Sequence, residues 1–103
     1  MNILETQIQF MKDLKEQMSD DNKCSMHLTD ILRSDIDGTD FGSALMMIMQ
    51  ARKINVSDFA KNSGLVRESL YRSLTKAKCP TFMQLQRTLR GLGFEFAVIK
   101  KKG

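Results

Sequence analysis

Tryptophan is absent from these 103 residues, and there is one proline, one histidine and two cysteines. Each shortage excludes something. With His27 alone and no serine and carboxylate set beside it, no catalytic constellation is visible, so an enzyme is not expected. Cys24 and Cys79 stand far apart and read as two reduced thiols rather than a staple. Cys24 and His27 have the spacing of two metal ligands on a helix, but no second pair completes a site; no metal and no other cofactor is expected. No apolar run approaches the roughly 20 residues of a membrane span. The opening MNILETQIQF lacks the basic region and apolar block of a secretory leader. These absences point to the cytoplasm, with neither a membrane nor a small-molecule substrate as partner. What remains, at 42% hydrophobic, suffices for one modest core.

Acidic residues are scarce in the second part of the chain. Residues 41–103 hold only Asp58, Glu68 and Glu95 against twelve Lys and Arg, a net of +9. Residues 1–40 hold nine Asp and Glu against Lys12, Lys15, Lys23 and Arg33, a net of −5, and the two sum to +4. Such asymmetry points to two partners, one polyanionic and one basic or neutral.

The basic part contains the most informative stretch, residues 55–74, NVSDFAKNSGLVRESLYRSL. Asn55 is placed to cap a short helix through its side-chain oxygen, with Asp58 in the first turn and Phe59 and Ala60 facing inward. Gly64 follows the last turn, where positive φ is cheap only without a Cβ. Leu65 then plugs the angle to a second helix whose Leu70 and Leu74 share a face. Arg67, Glu68, Ser69 and Arg72 occupy the other face, with Tyr71 on its flank. The spacing of Ala60, Gly64, Leu65 and Leu70 is that of a helix-turn-helix, whose second helix enters the DNA major groove.

Elsewhere the periodicity predicts a helix over residues 2–18, with Leu4, Met11, Leu14 and Met18 on heptad-like positions and Ile8 beside them. That stripe packs either on its own domain or twin, or in the groove of another protein. Residues 19–25 read as a polar hinge. A second helix is expected over 26–36, with Leu28, Ile31, Leu32 and Ile36 on one face. After the Asp37-Gly38 turn, Thr39 or Asp40 is expected to cap a helix bearing Phe41, Ala44, Leu45 and Ile48. Residues 75–80 form a loop, and Thr81 with Gln84 forms a capping box for a helix burying Phe82, Leu85, Leu89 and Leu92. Residues 94–100, FEFAVIK, are short, aromatic and β-branched, which predicts a strand, and a strand needs a partner strand. The same strand in a second copy is the simplest answer, with Phe94, Phe96 and Val98 at the dimer contact.

Residues 40–99 resemble the addiction-module antidote group, similar to HigA-type and more distantly HipB-type antitoxins. The carrying motifs are ALMMIMQARKINVSDFAKNSGLVRESLYRSL and, after a short basic loop, PTFMQLQRTLRGLGFEF. The resemblance implies a mainly α, lambda-repressor/Cro-like helix-turn-helix bundle of about five helices plus one C-terminal strand paired across a homodimer. Residues 1–24 would be an N-terminal amphipathic helical extension and 25–103 the DNA-binding domain. It implies an antitoxin that neutralises a small basic toxin and represses their shared promoter; a stand-alone repressor without a toxin is the alternative. One departure stands out: Val66 occupies the cap position where the group has a small hydroxyl residue, and Val66 cannot cap.

The expected base-reading residues are Arg67, Glu68, Ser69 and Arg72. Either arginine offers paired donors to guanine, and Glu68 accepts from cytosine or orients an arginine. Asn55, Ser57, Lys61, Tyr71, Lys76 and Lys78 are the expected contacts to the DNA backbone. A two-fold dimer implies a palindromic operator with half-sites about 10 bp apart. The stripe Leu4, Ile8, Met11, Leu14 and Met18 is the expected toxin-facing surface.

Overall fold

The computed structural model describes residues 3–102, and among these the chain is mainly α-helical. Six helices follow in order: α1 Ile3–Ser19, α2 Asp21–Ser34, α3 Thr39–Ala51, α4 Val56–Asn62, α5 Arg67–Leu74 and α6 Phe82–Gly91. The body is flattened, about 45 × 43 × 23 Å. Its centre is α3, which packs against α1, α2, α5 and α6. Phe41, Leu45, Ile48 and Met49 of α3 are fully buried, repeating at the spacing that keeps one helix face inward. No helix is long and apolar enough to cross a membrane.

The expected hinge at residues 19–25 shrinks to one residue. Asp20 caps α2, its carboxylate accepting from the Lys23 amide at 3.0 Å. The buried Cys24 thiol donates back to the Met18 carbonyl at 3.1 Å, so Met18 and Cys24 share one core with Phe41. The polar run thus reads as a break but works as a cap. Arg52, at the end of α3, reinforces this corner. Its Nε donates to the Met18 carbonyl at 3.0 Å and its Nη2 meets Asp21 at 2.8 Å.

α2 ends at Ser34, two residues earlier than expected, and Ile36 is fully exposed instead of inward. The reason is Asp35. Its backbone is extended, and its carboxylate reaches forward to accept from the amides of Gly38 at 3.1 Å and Phe41 at 2.9 Å. Asp37 accepts from the Thr39 amide at 3.0 Å and hydroxyl at 2.6 Å. Those two donors hold the Asp37 carboxyl below its ordinary range. Thr39 and Asp40 therefore lie inside α3, and the preceding aspartates satisfy its first amides.

α6 carries the expected capping box: the Gln84 amide donates to the Thr81 hydroxyl at 3.1 Å, and the Thr81 amide to Gln84 Oε1 at 3.0 Å. Leu85, Leu89 and Leu92 are buried, whereas Phe82 is largely exposed.

The expected C-terminal strand is absent among the described residues; 94–102 hold no regular structure. The aromatic residues serve another purpose. Phe96 lies 5.5 Å from Phe41 and 5.4 Å from Phe82, ring centre to ring centre. Phe94 lies under the Arg52 guanidinium at 5.6 Å. Two of the three residues expected at a dimer contact are thus half-buried on their own chain, while Val98 is fully exposed.

Candidate nucleic-acid interface

α4 and α5 form a tight pair joined by residues 63–66. The Asn55 side chain caps α4 by accepting from the Asp58 amide at 3.1 Å. At the turn Gly64 has φ +68°, and the Leu65 amide donates to the Ala60 carbonyl at 2.8 Å. Ala60 is buried and Leu65 half-buried beneath the angle, so the small residue and the plug do what their spacing requires. Val66 makes no side-chain cap and is 71% exposed.

α5 is seated by close backbone contact. A Cβ on Gly42 of α3 would lie 2.5 Å from the Ser73 carbonyl oxygen, so only glycine permits this approach. Leu70, Ser73 and Leu74 are buried on that side. Arg67, Glu68, Tyr71 and Arg72 are exposed together on the other, around a shallow recess of about 280 Å³. Two guanidinium forks, a carboxylate and a phenol on one projecting helix face can hydrogen-bond base edges or phosphates.

Ser69 departs from that group. It is half-buried, and its hydroxyl accepts from Gln84 Nε2 at 2.5 Å and from Lys78 Nζ at 3.0 Å. Gln84 Oε1 in turn accepts from the Ser73 hydroxyl at 3.1 Å and the Thr81 amide at 3.0 Å. One amide thus ties α5 to the start of α6, and Lys78 is drawn over α5. The capping spacing gave away half of the Gln84 role; nothing in the sequence signals the other half.

The remaining polar residues spread around this face. Asn55, Ser57 and Lys61 are exposed on or beside α4, Asn55 already engaged as a cap. Lys76, at φ +64°, pairs with Asp40 of α3 at 3.2 Å and is not a free cation. Arg87 of α6 donates to the Gly64 carbonyl at 3.4 Å and so borders the turn. Of the stripe on α1, Leu4, Ile8 and Met11 are exposed, but Met18 is buried and Leu14 half-buried against the body. Those two rest on the body, although both also line an open channel between α1 and α3. Among the described residues no three His, Cys, Asp or Glu gather as metal ligands.

A family model described as probable addiction module antidote protein matches residues 8–100, from the second turn of α1 to the basic tail. The chain belongs to that family. An uncharacterized protein of Haemophilus influenzae is 31% identical over 86 residues, covering 84% of this chain and 86% of its own. No solved structure matches. Membership of the antidote family suggests an antitoxin role and implies a toxin as partner. The match takes in most of α1 and all of α2 to α6, so it covers most of the acidic part together with the basic part.

Proposed function

We propose that this antidote-family chain neutralises a small basic toxin and, through α4 and α5 acting as a lambda-repressor-like helix-turn-helix, represses the promoter they share. One observation carries the DNA reading: α5 is held backbone to backbone against α3 while Arg67, Glu68, Tyr71 and Arg72 project together from its far side. In this reading Arg67 and Arg72 contact guanine edges, Glu68 accepts from a cytosine amine or steers one arginine, and Tyr71 reaches a phosphate. Ser69 acts by holding Lys78 over the backbone rather than by touching a base. Asn55, Ser57 and Lys61 complete the phosphate contacts, and Lys76 joins them only on leaving Asp40.

The toxin-facing surface in this reading is the acidic outer side of α1, where Asp13 and Glu16 are exposed away from the apolar stripe. A toxin that handles RNA carries a basic site, which an acidic helix can occupy. The test has two arms. Fluorescence anisotropy on the upstream duplex, with Arg72→Ala, should show a loss of roughly 1–3 kcal/mol and relaxed preference at one base pair. Co-expression with the neighbouring gene product should show that Asp13→Lys with Glu16→Lys loses protection but keeps duplex binding. An unchanged sequence preference would remove Arg72 from base reading, and retained protection would move the toxin contact elsewhere.

A further inference from the structure

Val66 has no part in the contacts described so far. It opens α5, where a side-chain oxygen would satisfy one of the first free amides, and it offers none. Nor does it pack. It is 71% exposed and lies outside the core cluster that takes in its neighbour Leu65. No other aliphatic side chain between Asn55 and Leu74 is exposed. A valine at this place therefore forgoes a cap and buries nothing, so the fold gains nothing by it.

Its position is nevertheless fixed. Just before it the Leu65 amide donates to the Ala60 carbonyl at 2.8 Å, and its own carbonyl accepts from the Leu70 amide at 2.9 Å. Arg87 braces the Gly64 carbonyl from the α6 side. In helical register Val66 would share the buried face of Leu70 and Ser73, four and seven residues on. Its backbone is extended instead, at φ −81° and ψ 123°, and the side chain stands out at the leading end of α5. Arg67 and Glu68, which follow it, are exposed as well. In a helix-turn-helix, residues at this end of the second helix reach the base edges.

The floor of the major groove presents hydrogen-bonding groups and one alkyl group, the C5 methyl of thymine. We propose that Val66 reads a thymine by packing its two methyl groups on that C5 methyl. No hydrogen bond enters this discrimination, which separates Val66 from the arginines. A serine or threonine would cap α5 but hold less apolar surface against the base, so helix stability yields here to recognition. The inference rests on the DNA reading of α5 and adds a base that its polar residues do not read.

The test uses the full chain and duplexes of the upstream region in which single thymines are replaced by deoxyuridine. The replacement removes the C5 methyl and leaves base pairing and every hydrogen-bonding group in place. Wild type should bind about three- to tenfold more weakly when one particular thymine is replaced, the scale of one methyl group buried on apolar surface. Val66→Ala and Val66→Ser should bind the unmodified duplex more weakly by a similar factor and ignore deoxyuridine at that position. Val66→Ser should also unfold at a higher urea concentration, because its hydroxyl caps α5, so its weaker binding is not a loss of fold. Sensitivity at that thymine surviving either replacement would overturn the proposal, as would a wild type indifferent to every deoxyuridine. A wild type with no affinity for any duplex, even at low salt, fails earlier, at the DNA reading, and takes this inference with it.

Discussion

The Arg52 guanidinium lies 5.6 Å from the ring centre of Phe94 while donating to the Met18 carbonyl and meeting Asp21. A single side chain from the end of α3 thereby fastens the end of α1, the start of α2 and the first turn of the tail. Its planar fork is what lets it hydrogen-bond in two directions and stack in a third.

Arg52→Ala should accordingly destabilise the chain by about 2 kcal/mol, the scale of a hydrogen bond to a charged group plus a partly exposed cation–π contact. Arg52→Lys should recover only part of this, because an ammonium cannot lie flat on Phe94. Urea denaturation of the three proteins measures both.

Gly42→Ala should cost roughly 1–3 kcal/mol, since the added methyl meets the Ser73 carbonyl and forces α3 and α5 apart. Duplex binding should fall as well, through displacement of α5. Thermal unfolding gives the first quantity, with roughly 4–8 °C expected per kcal/mol in a domain of this size.

Ser69→Ala removes the acceptor shared by Gln84 and Lys78. The expected stability loss is about 1 kcal/mol. Duplex affinity should drop uniformly across sequences, because Lys78 loses its anchor while no base contact changes. A binding selection that returned an altered motif would contradict this.

Asp40→Ala should do the reverse. It releases Lys76 from its ion pair and removes a negative charge beside the proposed interface. Duplex binding should tighten about two- to fivefold and depend more steeply on salt, by roughly one counterion. A salt titration of anisotropy checks the slope.

Asp37 provides a pH test. Its carboxyl is held low chiefly by the Thr39 hydroxyl, so its stabilising effect is complete above the unfolded carboxylate value of about 3.9 and is lost as pH falls through the lower folded value. Asp37→Asn should therefore flatten the acid side of the stability profile, read as urea midpoints between pH 6 and pH 2.5. The Asp37 charge also raises the exposed Cys79 thiol, 3.7 Å away. The same substitution should speed iodoacetamide labelling of Cys79 at pH 8, whereas Cys24, raised mainly by burial, should stay slow until unfolding.

Much of the local structure could be read from the chain because its determinants lie within four residues of one another. Asn55 with Asp58, Thr81 with Gln84, and Gly64 after a short helix are such cases. The inward faces of α3 and, Phe82 apart, of α6 followed from the helical period. What escaped depends on distant chain. Asp35 ends one helix to begin another, which strands Ile36 outside despite its perfect period. The tail has the aromatic and β-branched composition of a strand, but composition does not report whether a ladder exists; here Phe41, Phe82 and Arg52 receive the aromatics. At the candidate interface, the exposure of Arg67 and Arg72 follows from burial of Leu70 and Leu74 on the opposite face. The capture of Ser69 by Gln84 and of Lys76 by Asp40 spans 15 and 36 residues, and no pattern announces either.

One residue, Asp20, separates α1 from α2, and the joint is cross-braced by Cys24 and Arg52. The projecting helix is thus a clamped beam and not a tether. Whatever grips its free end inherits the orientation of the entire body.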